Sequence, residues 1–263
     1  MKKVTVNDFV MTYYELGAQH DEVIIFLHGI TDSSSSWAST APLLADKYHI
    51  YALDQRGHGD SESPAWGYTM FQFGEDVISF MDTKKIKKAV IIGHSMGSAV
   101  AHQVASKYPG RVSGLILIAG SPSSVNNVVL TDVFENIVGK DDFKDPIGMD
   151  FIKEWQDNPN PVEQDFLEKQ LGQTAKVESR VWKAAFWGLI TDDHRAFLSR
   201  ISAPTLILWG DEDAIYPKSD QDGLVKFIPN AKLKVYPGAG HNIQWERGRN
   251  KQVADDIRAF LNK

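Results

Sequence analysis

Cysteine is absent from this chain of 263 residues. The protein can therefore contain no disulfide bond, no thiolate nucleophile and no metal site with cysteine ligands. Runs rich in lysine or arginine are absent too, and the formal net charge at pH 7 is −6. This charge balance argues against a nucleic acid or an anionic membrane as a partner.

Long apolar runs are also missing. No signal-peptide core follows Met1, and no later run approaches the ~20 apolar residues that a membrane-spanning helix needs. We therefore expect a soluble, cytoplasmic protein. With 43% hydrophobic residues, a chain of this length can bury a sizeable single core.

Apolar, strand-like runs alternate with helix-like segments along the chain. Such alternation predicts an α/β protein, in which helices cover both faces of a mostly parallel central sheet. Helices are predicted over about 36–47 and 69–83, and a third ends at Tyr108. Lys3–Val6 and Phe9–Glu15 are too close in sequence for a helical crossover, so we expect an antiparallel hairpin at the sheet edge.

Ser95 is the candidate nucleophile. It follows the apolar run Ala89–Ile92 and stands between Gly93 and Gly97, a pattern that predicts a strand, a sharp turn and a helix with the serine at the apex. Only small residues fit on either side of so tight a turn. The N–H of Met96 then lies at a helix start, where unpaired donors and the helix dipole favour a developing negative charge.

A serine hydroxyl needs a histidine as general base and a carboxylate to orient that histidine. Asp211 and Asp213 follow the strand-like run 204–209, and His241 follows the run 231–236. Three loops that follow strands thus carry the three residue types, where open α/β sheets place their sites. Asp211 lies directly after the strand end, where a carboxylate can cap the turn. Asp213 is therefore the favoured acid and Asp211 the alternative.

Two further motifs complete a family resemblance: His28-Gly29 after one predicted strand and the loop Asp54–Ser61 after the next. From about Val23 to the C-terminus, the chain resembles the serine hydrolases of the α/β-hydrolase fold. The resemblance therefore implies that fold, with a mostly parallel central sheet and an inserted helical cap.

The resemblance also implies a site. Its catalytic triad consists of Ser95, Asp213 and His241, and the backbone N–H groups of Ile30 and Met96 form its oxyanion hole. Such a site requires no metal and no organic cofactor.

Between residues 122 and 200 no strand-like run occurs, and helix-like segments are interrupted by Gly139, Gly148, the turn 158–161 and Gly172. Hydrolases of this fold often carry a helical cap here. We therefore expect a cap at 122–200 and a core domain formed by 1–121 and 201–263. Aromatic residues at helical spacing within the cap are the predicted substrate-binding residues: Trp182, Phe186 and Trp187. The alternative is that this stripe only packs the cap onto the core.

The resemblance favours hydrolysis of a carboxylic ester or lactone of a small, mostly apolar, neutral molecule through an acyl-enzyme. Alternatives within the fold are an enol-lactonase, a carbon–carbon bond hydrolase, and a ligand sensor with little turnover. Carbon–carbon bond hydrolases usually carry asparagine where this chain has His94. Asp54 and Arg56 are either a clamp for a substrate anion or groups that stabilise their own loop.

Overall fold

An eight-stranded sheet forms the centre of the computed structural model, which describes residues 1–262. Its strands are β1 (Lys2–Val6), β2 (Phe9–Leu16), β3 (Val23–Leu27), β4 (His49–Leu53), β5 (Ala89–His94), β6 (Val112–Ile118), β7 (Thr205–Gly210) and β8 (Ala231–Tyr236). Their spatial order is β1-β2-β4-β3-β5-β6-β7-β8. The pairs β1–β2 and β2–β4 are antiparallel, and the other pairs are parallel. The predictions of a mostly parallel sheet and an antiparallel edge hairpin are confirmed.

Helices cover both faces of this sheet. They are α1 (Met70–Thr83), α2 (Met96–Lys107), α3 (Val128–Val133), α4 (Met149–Trp155), α5 (Gln164–Thr174), α6 (Ser179–Ile190), α7 (Lys218–Phe227) and α8 (Arg249–Leu261). Successive strand side chains point to opposite faces. Ile25 and Leu27 accordingly belong to one apolar cluster, with residues of α1, α2 and α6, whereas Ile24 and Phe26 belong to another, with residues of α8.

The helix predicted over 36–47 is wrong. Two short 3₁₀ turns occupy the region, Ser34–Trp37 and Ala41–Leu44. Pro42 lacks a backbone N–H and disfavours α geometry in the residue before it. The Ser33 hydroxyl also accepts the N–H of Ser35, and such local bonds compete with a continuous helix.

The segment between β6 and β7 contains α3, α4, α5 and α6, with no strand among its residues, all of which are described. A π-helical turn, Phe134–Val138, continues α3. Gly172 lies inside α5 rather than interrupting it. Ser123 and Asp193 form an isolated antiparallel bridge. The beginning of the segment and the part that follows α6 therefore lie side by side. The boundaries 122 and 200 of a separate cap stay a prediction.

None of the helices within residues 1–262 combines the length and apolar character needed to cross a bilayer.

Candidate active site

Ser95 occupies the sharp turn between β5 and α2, with φ of 53° and ψ of −118°. A positive φ costs a residue other than glycine about 1–3 kcal/mol and persists only where the surroundings enforce it. A Cβ atom on Gly93 would lie 2.1 Å from the carbonyl oxygen of Gly97, and one on Gly97 would lie 2.2 Å from that of Leu27. The turn therefore depends on both glycines, as the sequence predicts.

Asp213 and His241 meet at the same edge of the sheet, after β7 and β8. His241 Nδ1 lies 2.9 Å from each carboxylate oxygen of Asp213. Because a carboxylate accepts, this contact places the imidazole proton on Nδ1 and leaves Nε2 free. The N–H groups of Ile215 and Tyr216 also donate to Asp213 Oδ1, at 2.9 and 3.1 Å.

Burial of the Asp213 carboxyl, the largest influence on its pKa, acts to raise that pKa. The charge and hydrogen bond of His241 and the two backbone donors outweigh burial, so the pKa is lowered from its usual value. The carboxylate is thus ionised beside the imidazole at neutral pH.

Asp211 contacts a different group. Its Oδ1 accepts the N–H of Gly238 at 2.6 Å and so stabilises the turn that leads to His241. Of the two acids considered from sequence, the structure thus brings Asp213 to the histidine.

The predicted oxyanion donors are Ile30, in the loop after β3, and Met96, the first residue of α2 and the neighbour of Ser95. Within residues 1–262, neither backbone N–H donates to another backbone carbonyl. The Gly29 carbonyl accepts from His28 Nδ1 at 2.7 Å and from the Asp32 N–H at 3.3 Å. In a trans peptide the N–H points opposite to the carbonyl, so these two bonds fix the direction of the Ile30 N–H.

His28 can donate one of those bonds because a neighbouring N–H group fixes its tautomer. Its Nε2 lies 3.0 Å from the N–H of Gln55, which can only donate, so Nδ1 carries the proton. Complete burial lowers the pKa of His28 well below its usual value. The ring is therefore neutral, and its Nδ1–H holds the Gly29 carbonyl in place.

A cavity of about 460 Å³ opens above Ser95 and His241. The apolar part of its wall comes mainly from the segment between β6 and β7 and consists of Ile30, Val129, Leu130, Val133, Ile137, Phe151, Trp155, Pro159, Ala214 and Ile215. Its charged lining residues are all acidic: Asp32, Glu154, Asp157 and Glu212. Neither lysine nor arginine lines it within the described chain.

Trp182, Phe186 and Trp187, which were predicted to bind substrate, do not line this cavity. Trp182 and Phe186 are fully buried and stack on each other behind Trp155, with centroid distances of 5.9 and 5.3 Å to its ring. Trp187 is 58% exposed on the surface, beside Phe134. The apolar face of α6 therefore packs the segment together instead of facing a ligand.

The aromatic residues that do reach the cavity, Phe151 and Trp155, lie on α4 and were not predicted. Their spacing of four residues is a helical signal, but it does not tell which of several amphipathic helices faces the site. Asp32 was also missed, although it lies four residues after His28. Burial raises the pKa of its carboxyl to about 7, against the hydrogen bond from Gln156 and the charge of His241.

Arg56 does not reach the cavity. Its guanidinium is fully buried and binds Asp76 at 2.8 Å and Asp8 at 2.9 Å. Asp54 accepts the N–H groups of Ser34 and Asp60. The sequence left open whether Asp54 and Arg56 clamp a substrate anion or stabilise their own loop. These contacts support stabilisation of the loop.

Comparison with known proteins identifies the family to which the chain belongs. A family model described as the alpha/beta hydrolase fold matches residues 22–145 and 150–248. The chain is 25% identical over 265 residues to the 3-oxoadipate enol-lactonase 2 of Acinetobacter baylyi, a match that covers 98% of this chain and 96% of that protein.

Two other relatives are longer than this chain. The dihydrolipoyllysine-residue acetyltransferase component of the acetoin cleaving system of Pseudomonas putida is 30% identical over 268 residues, which cover all of this chain and 69% of that protein. This chain spans 63% of the length of the corresponding component from Cupriavidus necator. Among solved structures, an esterase from Exiguobacterium antarcticum superimposes with a TM-score of 0.88 at 18% identity, covering 99% of both chains.

Proposed function

Because the chain belongs to the α/β-hydrolase fold family, we propose that it is a serine hydrolase that cleaves a carboxylic ester or lactone through an acyl-enzyme. The observation that carries this proposal is the position of His241. It contacts the ionised Asp213 through Nδ1 and lines, together with Ser95, a cavity of suitable size for a small molecule.

In the first half of the reaction, His241 Nε2 takes the proton of Ser95 Oγ as that oxygen attacks the acyl carbon. The resulting oxyanion is bound by the N–H groups of Ile30 and Met96. Collapse of the tetrahedral intermediate transfers the proton from His241 to the leaving alcohol. Water then repeats the sequence on the acyl-enzyme and releases the acid.

The proposed substrate is small, mostly apolar and neutral. Apolar side chains dominate the cavity wall, and its charged residues are carboxylates. A substrate carboxylate near the scissile bond would meet no cation among the lining residues, and burying it unpaired is costly. We further propose that residues 122–200 act as a cap, since they supply most of that wall.

An enol-lactonase is the second candidate, because a protein of that name aligns with almost the whole chain. The acidic lining of the cavity argues against a substrate that itself carries a carboxylate. A lactone without a free carboxylate suits the site better.

The test is kcat/KM on p-nitrophenyl esters of increasing chain length, matched neutral lactones and one carboxylated enol-lactone. Neutral compounds are expected to be turned over, and Ser95→Ala to lose about 10⁶-fold in kcat while remaining folded. Preference for the carboxylated compound would favour the second candidate. Binding with negligible turnover by the wild type would instead indicate a ligand sensor.

A further inference from the structure

Two side chains at the end of α4 contact the loop that carries Ile30. Trp155 Nε1 donates to Thr31 Oγ1 at 2.9 Å, and Gln156 Nε2 donates to Asp32 Oδ1 at 3.0 Å. The segment between β6 and β7 is therefore hydrogen-bonded to the two residues that directly follow the proposed oxyanion donor.

Thr31 needs such support because its backbone is strained. Its φ is +66°, a value that is a genuine outlier for a β-branched residue. Conformations of this kind persist only where neighbouring contacts enforce them. The hydroxyl bonded to Trp155 lies on this residue, one peptide after the Ile30 N–H.

Gln156 acts on the same loop through Asp32. Gln156 is 4% exposed, and its Nε2 also donates to Thr174 Oγ1 on α5 at 2.8 Å. The N–H of Asp32 in turn donates to the Gly29 carbonyl. A continuous path of hydrogen bonds thus runs from Gln156 through Asp32 to the peptide whose N–H is the proposed donor.

We propose that Trp155 and Gln156 are positioning residues that hold the Ile30 N–H in the direction required for oxyanion binding. This inference rests on the proposed serine hydrolase function. It gives the segment between β6 and β7 a part in transition-state stabilisation besides the formation of the cavity wall.

Trp155→Phe is the first test, because it removes the indole N–H and keeps an aromatic ring in the cavity wall. With p-nitrophenyl butyrate, kcat is expected to fall about 10- to 100-fold, as for other small displacements of a reacting geometry, and KM to change less than about threefold. Thr31→Val removes the same bond from the other side, so the double variant is expected to be no slower than the slower single variant.

An alkyl trifluoromethyl ketone separates positioning from general packing. Ser95 Oγ adds to its carbonyl carbon, the serine proton goes to His241, and the hemiketal oxygen occupies the oxyanion hole. Its Ki is expected to rise in proportion to the loss of kcat/KM, because it mimics the transition state. The Ki of the matching secondary alcohol, which forms no such adduct, is expected to stay within about threefold of the wild-type value.

Gln156→Met supplies a second, independent variant with the same expected pattern. Thr174→Val is its matched control, since it removes the other acceptor of Gln156 and leaves the bond to Asp32. Trp66→Phe, at an exposed tryptophan that does not line the cavity, controls for the loss of an indole N–H. Both controls are expected to keep the wild-type kcat and ketone Ki.

Unchanged kcat and ketone Ki in Trp155→Phe, Thr31→Val and Gln156→Met would overturn the inference, as would a loss confined to KM. Failure of the proposed function looks different. In that case the wild type itself does not hydrolyse the ester, or Ser95→Ala hydrolyses it as well as the wild type does.

Discussion

His241 lies among three ionisable side chains that burial and hydrogen bonding keep in different states. Asp213 is ionised and accepts the Nδ1 proton. His94 donates from Nε2 to the His241 carbonyl at 3.1 Å, and burial lowers its pKa to about 3, so it stays neutral. Asp32, with its pKa raised to about 7 by burial, is partly protonated at neutral pH. Residue identity alone does not fix these states; the surroundings do.

Asp211 and Asp213, in the loop after β7, provide a matched pair of variants. Asp213→Asn is expected to lower kcat about 10⁴-fold, because an amide can stabilise the wrong tautomer of His241. Asp211→Asn removes the same charge but keeps an oxygen that can accept the Gly238 N–H, so kcat is expected to change less than about threefold. Steady-state kinetics on one ester compares them. Equal losses in both variants, or the larger loss in Asp211→Asn, would move the acid away from Asp213.

Asp32 also makes stability depend on pH. Between its usual pKa of 3.8 and its folded-state value of about 7, the folded protein keeps a proton that the unfolded chain has released. The contribution of Asp32 to the free energy of unfolding therefore decreases as pH rises through this range. Asp32→Asn, whose amide oxygen can still accept from Gln156, is expected to have the higher Tm at pH 8, with a difference that decreases as pH falls toward 3.8. A Tm difference that does not depend on pH would contradict this.

At the scale of elements, the sequence is most informative where backbone chemistry dictates the structure. The run Ala231–Tyr236 is a strand with the predicted bounds, and strands end directly before His28 and Asp54, as predicted. The helix predicted over 36–47 was wrong because two local features favour 3₁₀ turns instead. Pro42 lacks a backbone N–H, and serine side chains before it form hydrogen bonds with the backbone.

The tight turn at Ser95 predicts a sharp contrast between two glycines. Gly97→Ala is expected to lower the free energy of unfolding by about 2 kcal/mol or more, since its Cβ would lie 2.2 Å from the Leu27 carbonyl oxygen. Gly172→Ala, inside α5 with open space around it, is expected to stabilise the protein by about 0.5–1 kcal/mol. Urea unfolding measures both. Equal stabilities would show that the turn tolerates a side chain.

At the scale of the whole molecule, the parallel sheet explains why the proposed site was predictable. The loops after β3, β5, β7 and β8 meet at one edge, so residues distant in sequence converge there without knowledge of side-chain packing. The wall of the cavity was not predictable in this way. Which face of α4 or α6 meets the site depends on how four helices pack together, and the more strongly apolar face of α6 was the one that became buried.

The cavity wall and the loops that carry the proposed catalytic residues are also physically connected. Besides the contacts to Thr31 and Asp32, Asn160 Nδ2 donates to the Gly238 carbonyl at 2.6 Å, next to the loop of His241. The segment between β6 and β7 thus contacts both the loop of the proposed oxyanion donor and the loop of the proposed base. Changes in this segment are therefore expected to alter rate as well as substrate preference.

Peptide mapping by mass spectrometry after reaction with an alkyl fluorophosphonate tests directly whether Ser95 is the nucleophile. One adduct per chain is expected, located on Ser95, with loss of esterase activity in step with labelling. Ser95→Ala is expected to remain unlabelled under the same conditions. An adduct on another residue, or full activity in a chain labelled at Ser95, would contradict the assignment of Ser95 as the nucleophile.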